Sequence, residues 1–391
     1  MFDFIVIAVT DVSKDSRVIR QIKTLLQLGS VACISPGSME IENATHYRVS
    51  HEGDAGLWLR RGTKLKRKIL LTGGFCELFY WSQPIVKNIE RALLRLKGKV
   101  IVANDFESLP VSIRNKRDSR VFFDAHEYYP GQQSDDAADG TQWNEYYRKM
   151  CKQFMPLADA VSTVAQEIGQ CYADLCGIEC LITPNCPAYS PVKPSGIDEQ
   201  SKIRLIHHGA YRRSRGINRL VEAVSLLPEH FELHLMLTGD RQSADFARLA
   251  SHAQSSGRTF IHDSVAPESI VDTINQYDVG VYLLDPVSVN HEHALPNKFF
   301  EFIQARLAVA IGPSPSMASI VNSHELGLVT QDFTARALAD GLNSMTRAAI
   351  RQFKQNSSLA AEKFCTDQAM ESFRQTAGEM LQLSPKATRV A

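Results

Sequence analysis

The sequence predicts an α/β protein of two doubly wound, parallel-sheet domains that face each other across a cleft. Three observations carry that expectation. Short apolar runs of strand length alternate with stretches of helical periodicity along most of the chain. The alternation is interrupted near the middle by a proline-rich segment. The length, 391 residues, suits two domains, at about 150 residues each as a prior, better than one. Hydrophobic residues at 44% and charged residues at 22% match a globular protein and exclude a largely disordered chain. Equal numbers of basic and acidic residues, 43 of each, argue against a dedicated nucleic-acid binder, which carries a basic excess.

Phe4 to Val9 is a continuous apolar run, as expected of a parallel strand buried on both faces. It is short, lacks a preceding basic region and runs into Asp11, Lys14 and Asp15, so it reads as a first strand rather than a signal peptide. Val18, Ile19, Ile22, Leu25 and Leu26 then recur at helical spacing over Asp15–Leu28, before Gly29. Strand-like runs follow at Val31–Ser35, Val100–Ala103, Val121–Asp124, Ala160–Val164 and Cys180–Thr183, with helical stretches between most of them. Pro187 to Lys202 holds three prolines and little apolar periodicity, and reads as an interdomain linker. Beyond it, strands are expected at Ile203–His207, Glu232–Thr238, Thr259–His262, Val279–Leu284 and Ala308–Ile311. Helices are expected at Gly216–Leu227, Ser243–Ala253, Pro267–Gln276, Pro296–Ala305 and Thr334–Ala349. The expected division is therefore 1–186 for a first domain, 187–202 for the linker, 203–356 for a second domain, and 357–391 for a C-terminal helix crossing back to the first. Ligands of such sheets bind outside the carboxyl ends of the strands.

Arg60 to Lys99 stands apart. Eleven basic residues there face only Glu77 and Glu90, a local excess of nine, and are interleaved with Trp58, Phe75, Phe79 and Trp81. Basic and aromatic residues so mixed suit a surface lying on anionic lipid; the plainer alternative is a solvated helix face with an ordinary core side. No run of about 18 apolar residues reads as a spanning helix. The eight cysteines include no CxxC pair and read as reduced thiols, and no metal site is expected.

Two segments of the second half carry anion-binding chemistry. Pro296 suits the first turn of a helix, and it places Lys298 and Glu301 three apart on one face. Free N–H groups and an ammonium at a helix start attract phosphate, while an acceptor-only carboxylate one turn on suits the vicinal hydroxyls of a ribose. The second segment, Gly209 to Gly216, holds Arg212, Arg213 and Arg215 after a strand. Arginine forks match phosphate oxygens, and glycine admits the backbone closely. For both segments the alternative is an ordinary solvated surface.

Taken together, these segments resemble the retaining glycosyltransferase family 4 (group 1), on the two-domain, Rossmann-like GT-B fold. The resemblance rests on Asp15, Arg17 and Val18 opening the first helix; on Asp124, His126, Glu127 and Pro130; on Ala158 and Asp159 before Val164; on Pro184 and Asn185; on Gly209, Arg215, Gly216, Leu220, Ala223 and Leu226; on Asp278; and on Leu295, Pro296, Asn297, Lys298 and Glu301, the "LPNKxxE" subgroup pattern. It spans nearly the whole chain. It implies that Arg215 and Lys298 bind the donor diphosphate and stabilise the leaving group, and that Glu301 binds the ribose. Gly209, Arg212, Arg213, Gly216, His293 and Asn297 complete the donor site. His126 is implied near the transferred sugar or the acceptor; otherwise it is a loop or core histidine. Two departures stand out: His293 occupies the position of the first carboxylate of the family's paired-glutamate motif, and Ala210 replaces a common arginine.

The resemblance implies transfer of a sugar from a nucleotide-diphosphate sugar, UDP or GDP, to a glycan or lipid-linked glycan acceptor. Retention of configuration and independence of metal and cofactor are implied with it. The setting expected is cell-surface polysaccharide assembly by a cytoplasmic protein, peripheral at the inner face of the membrane through residues 60–99. Two alternatives stay open: a catalytically weak structural subunit of a glycan-assembly complex, and a sugar-nucleotide epimerase or phosphorylase on the same fold.

Overall fold

The computed structural model describes residues 1–50, 69–132, 140–212 and 215–383. Arg60, Arg61, Lys64, Lys66, Arg67, Lys68 and Arg213 lie outside the described residues. The chain forms two compact units, Met1–Pro184 with Met370–Ala391, and Asn185–Ala369.

The first unit is built on a seven-stranded sheet in the order β3-β2-β1-β4-β5-β6-β7. Its strands are β1 (Phe2–Ile7), β2 (Val31–Ser35), β3 (Ala44–Arg48), β4 (Gly98–Asn104), β5 (Arg120–Ala125), β6 (Ala160–Thr163) and β7 (Leu181–Ile182). Every pairing is parallel. Phe4 lies opposite Val31 on one side and Val100 on the other, so the strand order reverses between β1 and β4. The central strands are buried almost throughout, which is why they read as uninterrupted apolar runs. The first helix, Ser16–Leu26, starts where Asp15 accepts from the N–H groups of Arg17 and Val18 at 3.2 and 3.1 Å.

The second unit holds a six-stranded sheet in the order β10-β9-β8-β11-β12-β13. Its strands are β8 (Ile203–Ala210), β9 (Phe231–Thr238), β10 (Thr259–His262), β11 (Val279–Tyr282), β12 (Ala308–Ile311) and β13 (Gly327–Val329), again all parallel. Here the order reverses between β8 and β11. Gly280 of β11 lets the Phe302 ring close on the sheet; a Cβ there would strike it. That approach seats the helix Asn297–Gln304 beside the reversal point.

Several expectations are corrected. The edge strands β3 and β13 went unread: Ala44–Arg48 mixes polar and apolar residues, and Gly327–Val329 is only three residues long. The single helix expected over Thr334–Ala349 is two, Ala335–Ser344 and Arg347–Ala360, because Thr346 caps the second through the Ala349 N–H at 3.1 Å. The segment expected as a linker lies on the second unit. Ile197 is in that unit's core, Ser190 O accepts from Arg306 Nη2 at 2.5 Å, and Ser195 Oγ accepts from Lys354 Nζ at 2.7 Å. Extended backbone held by side-chain donors explains the lack of periodicity. At the far end the division falls at 369/370 rather than 356/357. Helix Thr366–Gln382 contributes Met370, Phe373, Ala377 and Met380 to the first unit's core.

No disulfide joins any of the eight cysteines. Among the described residues no helix is long and apolar enough to cross a membrane, and no cluster of His, Cys, Asp or Glu is arranged to hold a metal ion.

Candidate functional site

In the second unit the carboxyl end of β8 presents His207, His208 and Gly209, and the neighbouring β11 ends at Tyr282. Pro296 occupies the cap position itself rather than the first turn, and the helix begins at Asn297. Lys298 is not the solvated side chain of the plainer alternative: it is 5% exposed. Its Nζ lies 3.2 Å from His207 Nε2 and 4.6 Å from the centre of the Tyr282 ring. Gly209, at φ +116°, passes directly over it, and a Cβ at that position would sit 3.2 Å from the ammonium. Glycine is required there on both counts.

Electrostatics follow from this packing. His207 Nδ1 lies 2.9 Å from Val281 O, and a carbonyl only accepts, so Nδ1 carries the proton and Nε2 accepts from Lys298. Burial, and then the Lys298 charge, hold His207 well below the usual histidine range, which keeps that acceptor free of a second proton. Burial, then the Arg215 charge, bring the Lys298 ammonium down to about 7, against the opposing pull of Glu301. His208 Nε2 lies 3.3 Å from Glu301 Oε2 without hydrogen-bond geometry. Burial and Lys298 lower its pKa to about 3, so His208 is neutral beside that carboxylate. The second unit therefore gathers Gly209, Arg215, Lys298 and Glu301 at the point where its strand order reverses.

The other expected donor residues stand around this group. Arg212 is exposed, and its carbonyl accepts from Arg215 N at 2.9 Å. Gly216 caps the helix Ile217–Leu226 with φ +63°, a left-handed conformation that favours glycine. Asn297 Oδ1 accepts from Asn185 Nδ2 at 2.6 Å. His293 ends the short helix Val289–Glu292, where its N–H donates to Val289 O. Among the described residues these bonds of Arg212, His293 and Asn297 run to partners other than Lys298. His207 and Tyr282, which shape the Lys298 environment, were missed. Two adjacent histidines closing an apolar strand were the available signal.

His126 lies in the first unit, just past β5. Its Nδ1 is 3.2 Å from Asp105 Oδ1, and its Nε2 is 3.3 Å from Asp124 Oδ2 and 3.1 Å from Asn104 Oδ1. Burial disfavours the charged ring, but Asp105 and Asp124 outweigh it and push the pKa up to about 10. At neutral pH His126 is thus an imidazolium with both nitrogens donating. It can present positive charge but cannot accept a proton. Asp124 is fully buried, and Arg17 forks onto it with Nε and Nη2 each at 2.6 Å. Ser162 Oγ donates to the same carboxylate at 2.6 Å. Arg17 also donates to Thr183 O at 2.7 Å, tying β5, β7 and the first helix together.

Residues 202–347 match the family model described as Glycosyl transferases group 1. No curated protein matches the sequence. The fold resembles sucrose-phosphate synthase from Thermosynechococcus elongatus, with 15% identity and a TM-score of 0.72 over 96% of this chain and 97% of that one. It resembles Anabaena Alr3699/HepE, solved with UDP and glucose, with 12% identity and a TM-score of 0.69 over 97% and 100%. The E. coli trehalose-6-phosphate structure bound with UDP-2-fluoro glucose aligns with 10% identity and a TM-score of 0.67 over 98% and 100%. Two parallel-sheet α/β units of this kind are the GT-B framework, and the stretch that matches the group 1 glycosyltransferase model lies within the second. The protein is an enzyme of the glycosyltransferase class.

Proposed function

We propose that the protein transfers a sugar from a nucleoside-diphosphate sugar to a glycan or lipid-linked glycan, with retention of configuration and without a metal ion, as a family 4 member of the "LPNKxxE" subgroup. The observation that carries this is Lys298 under Gly209, with Arg215 and Glu301 beside it, at the strand-order reversal of the second unit. In this reading Lys298 and Arg215 meet the diphosphate and stabilise the charge that develops on it as it leaves. Glu301 accepts from the ribose hydroxyls, with His208 neutral beside it. The departing diphosphate takes the acceptor's proton, so the residues here orient and stabilise rather than exchange protons. His126 offers a fixed positive charge on the acceptor side. Structures with UDP and glucose on the same fold make UDP the first nucleotide to try.

Thermal unfolding with UDP, GDP, ADP and TDP tests the donor reading. One nucleotide at 100 times its Kd is expected to add about 2.7 kcal/mol, a rise of roughly 5–10 °C. Glu301→Ala is expected to remove the rise. No rise with any nucleotide would favour the catalytically weak structural-subunit reading.

A membrane-proximal acceptor, in cell-surface polysaccharide assembly at the cytoplasmic face, is part of the proposal. Ile69, Phe75 and Leu78, all about 60% exposed, support it, because they continue the basic stretch 60–68. Vesicles containing anionic lipid are expected to bind the protein. Replacing Lys64, Lys66, Arg67 and Lys68 is expected to weaken binding by on the order of 100-fold or more, at about 1 kcal/mol per basic residue. Vesicle sedimentation reads this directly; a wild type that stays in the supernatant ends the membrane reading.

A further inference from the structure

The end of β8 carries two histidines side by side, and neighbouring residues of a strand face opposite sides of the sheet. The helix Asn297–Gln304 meets both. His207 Nε2 lies 3.2 Å from Lys298 Nζ, and His208 Nε2 lies 3.3 Å from Glu301 Oε2. The first contact is a hydrogen bond, in which His207 accepts from the ammonium. The second is not. His208 Nε2 is buried and, among the described residues, makes no hydrogen bond, with Glu301 or with any other group.

The His208 ring is fixed by packing. The residue is 3% exposed, and its ring meets that of buried Phe302 edge to face, with centres 5.4 Å apart and planes at 88°. Burial, then the Lys298 charge, keep the ring neutral, so one nitrogen carries a proton and the other is an acceptor. An unprotonated Nε2 would turn its lone pair toward a carboxylate oxygen 3.3 Å away; the tautomer with the proton on Nε2 avoids that repulsion. A buried N–H without an acceptor is costly, and an apolar side chain would fill the same place without that cost. The pair therefore offers a ligand a donor and an acceptor side by side. An oxygen atom can sit at about 2.8 Å from both, as the third corner of a triangle whose base is 3.3 Å. Glu301 is the more open of the two, with its side chain 14% exposed against 4%, so a turn of its carboxylate admits that oxygen. A hydroxyl suits the position, because it donates to the carboxylate and accepts from the ring through one atom. A phosphate oxygen or a carbonyl would accept without donating.

We infer that His208 is a specificity-determining residue of the donor site, its Nε2–H pairing with the same ribose hydroxyl that donates to Glu301. The inference rests on the donor reading for the presence of a nucleotide, and goes beyond it in giving the recognition of that hydroxyl two partners instead of one. A deoxynucleotide would then lose both bonds at once and leave the buried ring N–H without an acceptor. All the groups concerned lie in the second unit.

Calorimetric titration of the full chain with UDP and GDP, each beside its 2′-deoxy and 3′-deoxy forms, tests it. The ribonucleotide that binds is expected to do so at least about 10-fold tighter than one of its two deoxy forms, and the form that suffers identifies the hydroxyl. His208→Phe keeps a ring against Phe302 and removes the N–H. It is expected to cut the preference to about 3-fold or less, by weakening the ribonucleotide rather than strengthening the deoxy form. His208→Gln, whose amide N–H can reach the place of Nε2–H, is expected to restore most of it. The preference is a ratio measured within one protein, so a general loosening of the fold, which weakens both nucleotides alike, does not move it. Equal binding of ribo and deoxy forms by the wild type overturns the inference, and so does a preference unchanged in His208→Phe. The Glu301→Ala variant separates the two ideas. If it loses nucleotide binding while His208→Phe keeps the wild-type preference, the donor reading stands and the role of His208 falls. If the wild type binds neither nucleotide, both fall together.

Discussion

Asp124→Asn is expected to destabilise the protein by about 3–5 kcal/mol, lowering the melting temperature of the first unit by roughly 10 °C, because it breaks a buried ion pair from one side only. Arg17 would keep its charge with no carboxylate to receive the fork, and His126 would lose one of the two anions that keep it protonated. The pH dependence separates the two partners. Burial alone would raise the Asp124 pKa, but Arg17, then His126, hold it well below the carboxylate range. Its contribution is present above about pH 4 and lost as pH falls through the folded value. His126 has the opposite sign. Its pKa is raised from 6.5 to about 10, so its contribution is complete below 6.5 and fades as pH climbs to 10. Urea unfolding of His126→Gln should therefore show its full cost at pH 6 and little at pH 10, whereas the Asp124→Asn deficit should persist across that window in its Arg17 part. A His126→Gln deficit independent of pH would show that the imidazolium reading is wrong.

The second large effect concerns Lys298. If its ammonium meets the diphosphate, Lys298→Met should lower kcat by about 10²–10³-fold at saturating donor, the usual loss when one preorganised donor to a developing anion is removed. The environment adds a sharper signature. With the Lys298 pKa near 7, a large share of the free protein carries a neutral amine at pH 7, and an arriving diphosphate must draw a proton onto it. Nucleotide binding should take up a substantial fraction of a proton at that pH, and little at pH 5.5, where the ammonium is already formed. Arginine is always charged, so Lys298→Arg should bind without proton uptake. Calorimetry in phosphate and Tris buffers measures this; identical heats in both for the wild type would place Lys298 outside the diphosphate site.

How much of this was legible beforehand varies with the kind of feature. The parallel strands announced themselves because strands covered on both faces are apolar without interruption, as in Phe4–Ile7 and Ala308–Ile311. The edge strand Ala44–Arg48 has no fully buried residue and no such run. Lys298 and Glu301 were found from their spacing, but their surroundings were not. Burial of Lys298 depends on His207, 91 positions earlier, and on how closely Gly209 passes. The Arg17–Asp124 pair spans 107 positions, and each residue had been noticed only within its own motif.

The strap formed by residues 189–197 bears on anyone who would excise the second unit as a separate protein. Family resemblance alone would suggest cutting at residue 202. Arg306, 1% exposed, then loses the Ser190 carbonyl, and Lys354, equally buried, loses the Ser195 hydroxyl that shares it with Tyr277 O. Arg306 keeps Gln304 O and Lys354 keeps Tyr277 O, so each buried cation loses one acceptor, at a cost of about 1–3 kcal/mol apiece, a sizeable share of the stability of a domain. The smallest self-sufficient piece therefore starts at Asn185, seventeen residues upstream of the recognisable domain, and its soluble yield depends on that overhang more than on any residue in the site.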